Sequence, residues 1–375
     1  MDLGLTEEQQ MLRDFARDFL EKECPESYVR DMEDDAAGYS PEVWHKMAEQ
    51  GWMGLIVPEE YGGVGMGFLD LMVLIEEFGR SIVPGPFTTN CVATLGILEA
   101  ASEAQKQAWL PAIATGEQVW TLAFTEPSAR FDADGVALSA TRDGDTYVLN
   151  GTKLFIRDSH VADRMLVVAR TGGEGEDGIS LFAVDARADG VTHSPIVTVA
   201  SDKQNEVRFQ DVRVPAGDLL GAEGEAWPAF QRVSRRATVL ESAYLVGLSQ
   251  MAFEITLEYT KERQQFGQPI ATFQAMQHMA ADMVTDVDAS RYITYQAAWS
   301  TDEEQPDAGN DVHIAKAWVS EASRRVVARA QEMHGGIGFT KDYKIQLFFR
   351  RQKAAELAWG DAEYHREMVG EKLGI

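Results

Sequence analysis

Cysteine is almost absent: the chain has two in 375 residues, Cys24 and Cys91. They stand far apart, and neither has a partner at metal-ligand spacing. A disulfide framework and a thiolate metal site are therefore not expected; two reduced thiols in a cytoplasmic protein are. Long apolar runs are missing, so no segment is expected to span a bilayer. The opening MDLGLTEEQQ has no basic stretch followed by an apolar core, and no secretory signal is expected there. Positive charge is scarce: 34 Lys and Arg face 60 Asp and Glu, a formal net charge of -26. A field of that sign repels nucleic acid and anionic membrane, which removes both as partners. Internal repeats and low-complexity segments are absent too.

What is present is a globular chain, 45% hydrophobic and 25% charged, long enough for two or three domains. Residues 1–118 read as an α-helical domain. Thr6 followed by Gln9 is a capping-box pattern, and Met11, Phe15 and Phe19 recur every four residues behind it. Residues 41–50 and 68–80 are further helices, and Trp109-Leu110-Pro111 predicts a break before Gly116. Residues 119–223 read as a β-domain. Two β-prone runs flank Asn150-Gly151, a dipeptide that tolerates the positive φ of a type I′ turn, so a hairpin is expected there. Residues 165–169, 179–184 and 206–214 are further strands. From 224 to 375 the helical period returns, with helices expected over 237–259, 273–299, 312–333 and 343–358, a four-helix bundle. Pro306 and its acidic neighbours mark an exposed connection. The fold class is α+β multidomain: helical, then β-barrel-like, then helical.

Several motifs invite a functional reading. Gly62, Gly63, Gly65 and Gly67 do not make a dinucleotide loop, since that needs a preceding strand and helices flank this one; a tight irregular turn is expected. The Thr125-Glu126-Pro127 tripeptide alone is a turn at a strand end. In YTKERQQFGQPIATFQ, residues 259–274, a helix ends, a Gly-x-Pro turn follows and a second helix starts. Arg263 and Phe266 stand at that corner, suited to phosphate and ring recognition or simply solvated. Gly335 and Gly336 follow a long helix, as its C-cap or as backbone that a ligand can approach.

These segments, in this order, resemble the acyl-CoA dehydrogenase family. LTEEQQMLRDFARDFL and GLIVPEEYGGVGMGFLD resemble its N-terminal domain. AFTEPSAR, YVLNGTKLFIRDSHVAD and VRFQDVRVP resemble its middle domain. YTKERQQFGQPIATFQAMQHMAADM and HGGIGFT resemble its C-terminal bundle. The resemblance covers nearly the whole chain and implies bound FAD, an acyl-CoA substrate and an electron-transferring flavoprotein as acceptor. It places Phe124 and Thr125 at the flavin ring, partly through backbone groups, and Phe155 where an aromatic packs on the flavin. Arg263, Phe266, Gly335 and Gly336 would reach the FAD of a neighbouring subunit, usually in a tetramer. Some positions depart from the family. Ser128-Ala129-Arg130 replaces its usual Gly-Ser-Asp, Arg157 stands where a flavin-contacting Thr is common, and Glu332 stands where a Gln is. These variants, and the tail GDAEYHRE, are similar to bacterial members acting on sterol side chains and other bulky acyl groups.

The reaction implied is α,β-desaturation of the thioester: a Glu removes the α-proton while hydride leaves the β-carbon for flavin N5. The commonest base position, before a Gly late in the chain, is here Trp359, which cannot abstract a proton. The remaining family position lies on the first bundle helix and aligns near Ala237. One turn later is Glu241, the only charged residue from 237 to 253, with no basic residue three or four positions away. Burial without a partner disfavours a charged carboxylate and brings a Glu toward general-base chemistry. Glu241 is thus either a displaced base or a structural carboxylate paired at long range. Arg232, Arg235 and Arg236, just before this helix, are candidate contacts for the CoA phosphates or a solvated face. Two alternatives remain open: a non-catalytic or half-site subunit of a heterotetrameric acyl-CoA dehydrogenase, and a flavin monooxygenase or oxidase on the same fold.

Overall fold

A computed structural model describes residues 4–375. Six helices come first: α1 (Glu7–Glu23), α2 (Glu26–Asp34), α3 (Pro41–Glu49), α4 (Phe68–Arg80), α5 (Phe87–Ala100) and α6 (Glu103–Ala114). Eight strands follow: β1 (Trp120–Ala123), β2 (Ser139–Asp143), β3 (Thr146–Arg157), β4 (Arg164–Arg170), β5 (Ile179–Asp185), β6 (Val191–Ile196), β7 (Gln204–Pro215) and β8 (Leu219–Leu220). Then come α7 (Trp227–Glu262), a small ribbon of β9 (Gln264–Gln265) and β10 (Gln268–Pro269), α8 (Gln274–Asp302), α9 (Ala308–His334), α10 (Ile345–Leu357) and α11 (Ala362–Leu373). No helix among the described residues is long and apolar enough to cross a membrane.

The chain divides into two compact units. One holds the residues up to Arg30, 68–83 and 237–375. It is helical, and its core joins Leu248, Ala252 and Ile255 of α7 to Met283 and Val287 of α8, Val326 and Ala330 of α9, and Leu347 of α10. Helices α4 and α7 meet through glycines: a Cβ on Gly79 would overlap the Tyr244 carbonyl, and one on Gly247 the Glu76 carbonyl. Thr6 and Gln9 form the expected capping box on α1.

The other unit holds residues 31–67 and 84–236. Its sheet runs β6-β7-β3-β2-β4-β5-β8, with β1 parallel to β4. Strands β4 and β5 are buried almost throughout. Pro195 lies on edge strand β6, where its missing N–H interrupts no inner ladder. The glycines at 62–67 form a turn without a preceding strand; Val64 N bonds Gly54 O and Gly65 N bonds Val57 O, each at 2.9 Å.

One expectation is overturned and another is shifted. Asn150-Gly151 makes no hairpin: β3 runs straight through it, and the β2–β3 turn lies at Gly144. Asn150 exchanges hydrogen bonds with Asp211 on β7 (2.9 and 3.1 Å), and a Cβ on Gly151 would come within 2.8 Å of Leu138 Cα. The Asn-Gly pair thus serves a β-bulge, where the ladder slips between Leu149 and Gly151. The break expected before Gly116 is present, but it does not start at Pro111. Helix α6 continues to Ala114 and turns off at Gly116, where φ is +73°. The buried side chains of Leu110 and Ile113 hold that last turn in place at the cost of the one hydrogen bond proline cannot donate.

Candidate functional site

In the sheet unit, the segment after β1 is stitched to β3 at a second bulge. The β3–β7 ladder slips between Lys153 and Ile156, so Leu154 turns its N–H away and donates to Thr125 O at 2.8 Å. Lys153, fully buried, donates to Phe124 O at 3.0 Å and to Glu126 Oε1 at 2.7 Å. Burial pushes the Lys153 ammonium down to about 8, while Glu126 pulls the other way. Glu126 also accepts from the amides of Ala137 (2.9 Å) and Leu138 (3.0 Å). Thr125-Glu126-Pro127 is therefore more than a turn. Phe155 sits in the bulge at φ +57° and is 51% exposed. Phe124 points elsewhere: its ring is buried against Phe230, 4.5 Å between centroids, with Trp227 and Phe131 near by. Half-buried Thr125 and exposed Phe155 are thus among the side chains at this bulge open to a ligand.

Beyond the bulge, Asp158 is buried at φ +56°, its amide bonded to Lys203 O at 2.8 Å. Desolvation, then nearby Asp202, raises its carboxyl from 3.8 to about 7; Arg157 and Lys203 oppose the rise. Between those values the folded chain keeps a proton that the unfolded chain releases. Stability from this group is therefore full at low pH and is lost as pH rises toward 7. Asn tolerates positive φ. Asp158→Asn is accordingly expected to raise the melting temperature at pH 8 by roughly 2–6 °C and to flatten its decline from acidic pH. Thermal melts across pH check this; an equal shift at every pH would sink it.

Arg232 and Arg236 are both engaged by Glu99, the latter at 3.0 Å, while Arg235 is exposed. This favours the ion-pair reading for two of the three.

In the helical unit, Glu241 is buried on α7 (3% exposed), as its apolar neighbours dictate. It is not without an interaction, which corrects the expectation of an unpaired carboxylate: empty i±3 and i±4 positions do not exclude partners distant in sequence. Where α7 ends, Phe266 and Gly267 form the tip of the β9–β10 ribbon, both at positive φ (+55° and +79°). That geometry suits a two-residue turn and leaves Phe266 92% exposed, edge-on to Phe273. Arg263, three residues earlier, is exposed as well. Tyr259, one turn earlier, stacks on His334 at 4.3 Å and donates to its carbonyl, bringing the ends of α7 and α9 together. Gly335 caps α9 at φ +63°, ψ -143°, and both Gly335 and Gly336 are exposed, with open space where a Cβ would stand. Trp359 adopts φ +61°. Buried Lys316 donates to the carbonyls of Glu356 (2.7 Å) and Gly360 (3.0 Å), and His365 lies 3.0 Å from Trp359 O. Burial, with Lys316 near by, depresses His365 to about 3 and keeps it neutral. Lys153, Glu126 and Lys316 were missed by motif reading; the available signal was a lysine falling on a buried face.

Three family models match: the acyl-CoA dehydrogenase N-terminal domain over residues 6–117, the middle domain over 121–212 and the C-terminal domain over 229–374. The chain belongs to the acyl-CoA dehydrogenase family. A probable acyl-CoA dehydrogenase of Bacillus subtilis is 34% identical over the full length of both chains. The caffeyl-CoA reductase subunit of a reductase–Etf complex from Acetobacterium woodii is 30% identical over 98% of each. The solved butyryl-CoA dehydrogenase of Megasphaera elsdenii superposes with a TM-score of 0.91 at 30% identity, covering both chains completely. Acyl-CoA dehydrogenases are FAD-dependent oxidoreductases. The residues of this chain fit that cofactor. Phe155 keeps a costly backbone conformation at a bulge while half its surface stays open, as expected where an aromatic ligand completes the packing. The exposed ring of Phe266 and the exposed Arg263 have the chemistry to meet an aromatic ring and a phosphate.

Proposed function

We propose that this acyl-CoA dehydrogenase desaturates an acyl-CoA between its α and β carbons, with Glu241 as the base. The observation that carries the assignment is the burial of Glu241 on a stretch of α7 that holds no other charge, in a chain whose commonest base position is Trp359. A carboxylate held in place inside the fold can serve as the base for a substrate that reaches it. Bound FAD supplies the hydride acceptor. Thr125 and the Phe124 backbone orient that cofactor, and Phe155 packs on it. Arg263, Phe266, Gly335 and Gly336 serve the FAD of a neighbouring subunit, so the working form is an oligomer. Arg235, outside the Glu99 pair, is the arginine most open to a CoA phosphate. The Etf-complex relative supports an electron-transferring flavoprotein as acceptor.

The test is anaerobic titration of the purified protein with a panel of saturated acyl-CoA esters, followed by flavin absorbance. Bleaching by a subset is expected; no bleaching by any ester would overturn the reading. Trp359 favours a second reading, a partner subunit that relies on another chain's base, and a colourless chain when purified alone would mark it. For the cofactor residues, Phe266→Ala and Arg263→Gln are expected to lower flavin content about tenfold or more while far-UV circular dichroism stays native, since neither side chain is buried. Full flavin retention in both variants would remove them from the site.

A further inference from the structure

We infer that the buried Lys153–Glu126 pair is a positioning device for the flavin: it fixes the Phe124–Thr125 main chain against the β3 bulge, so that Thr125 and Phe155 form one rigid contact face. The inference rests on the assignment of Thr125 and Phe155 to the flavin made above.

Taking an ammonium and a carboxylate out of water is costly, and an apolar pair of equal volume often serves stability as well. What an apolar pair lacks is direction. Lys153 Nζ fixes two acceptors, Phe124 O and Glu126 Oε1. Glu126 in turn fixes the amides of Ala137 and Leu138, through a different oxygen for each. The pair thereby ties together the segment after β1, the strand β3 and the approach to β2. Leu154 N to Thr125 O adds a backbone bond on the same side of Phe155. On its other side the Thr121 hydroxyl donates to Arg157 O at 2.8 Å. The strained residue Phe155 is thus clamped before and after by β1 and the segment that follows it. Such clamping holds a contact face within the fraction of an ångström that cofactor chemistry needs. Neither Lys153 nor Glu126 is exposed enough to meet a ligand itself, so their role is positioning rather than catalytic.

The experiment uses the holoenzyme of Glu126→Gln, Lys153→Met, Lys153→Arg and, as reference, Thr125→Ala. Three quantities are read: the visible circular dichroism of the bound flavin, the rate at which fluorescent FAD is released on dilution, and the thermal midpoint. Glu126→Gln is close to isosteric and keeps an acceptor for Lys153. It is expected to fold, to alter the visible dichroism and to speed FAD release about tenfold, the loss of one charge-assisted hydrogen bond. Lys153→Arg is expected to restore part of what Lys153→Met loses. A lowered midpoint with native dichroism and native release in Glu126→Gln would mean a purely structural pair and overturn the inference. If Lys153→Met does not accumulate, Glu126→Gln decides alone. Thr125→Ala separates the two layers. An altered spectrum there beside a native one in Glu126→Gln overturns the positioning role only. A native spectrum in Thr125→Ala overturns the flavin assignment and the inference with it.

Discussion

Glu241→Gln is expected to bind FAD and keep its yellow colour, yet to lose bleaching by acyl-CoA by about two to four orders of magnitude, the span of a single general base. The substitution is isosteric and removes only the capacity to take a proton. Because Glu241 is 3% exposed among apolar neighbours on α7, water cannot readily deliver a substitute base to the same point. Binding and chemistry separate cleanly in this experiment. The CoA ester should still perturb the flavin spectrum on mixing, while the slow loss of absorbance disappears. Glu241→Asp should fall between, since withdrawing the carboxylate by one methylene misplaces it without removing it. Should Glu241→Gln bleach at the native rate, the base lies elsewhere and the partner-subunit reading becomes the stronger one. The interaction that Glu241 makes within the fold adds a control: a native thermal midpoint in the variant shows that its loss of chemistry is not a loss of structure.

How much of this was legible in the sequence depended on the range of the interactions involved. The α1 capping box is a three-residue pattern whose partners are its own neighbours, and Thr6 and Gln9 make it as expected. The apolar stretch 237–253 of α7 was equally visible, and so was Glu241 as its sole charge. Asn150-Gly151 misled because its local chemistry, freedom at positive φ, serves a hairpin turn and a β-bulge alike. What decides between them is Asp211 on β7 and the nearness of Leu138, and no local window contains both. The Lys153–Glu126 pair stayed hidden for the same reason: each residue looks solvated until β1 and β3 are laid side by side. Tyr147, Leu149 and Lys153 fall on one face by the period of two, and a lysine on a buried face calls for an acid. Phe266 shows the opposite case. The FGQP string announced a turn, and the structure makes it a two-residue ribbon tip that puts the ring almost wholly in the open.

The largest loss of stability is expected from Gly247→Ala. Gly247 lies inside α7, where alanine would normally gain about 0.5–1 kcal/mol by stiffening the unfolded chain. Here a Cβ would overlap the Glu76 carbonyl oxygen of α4 and come within 2.8 Å of Arg80 N. The reciprocal glycine, Gly79, meets Tyr244 on α7 in the same way, with the Tyr244 carbonyl carbon at 2.7 Å. The obstacle is backbone in both directions, so no rotamer change relieves it and the helices must part. Parting them disturbs Glu76, which holds Arg291 (3.1 Å) and Tyr295 (2.8 Å) of α8, and also Arg80, paired with Glu254 of α7. Overpacking typically costs about 1–3 kcal/mol, and buried polar groups left without partners add about 1–3 kcal/mol each. Gly247→Ala should therefore lower the unfolding free energy by roughly 3–5 kcal/mol, enough to leave a marginal domain largely unfolded near 37 °C. The control is Gly370→Ala on α11, where the nearest atom to a Cβ is Ile375 O at 3.4 Å and the alanine gain should stand. Urea unfolding of both variants beside the parent protein measures the contrast. Equal midpoints for the two would mean that α4 and α7 yield at their crossing, and the close glycine contact would not be what fixes their separation.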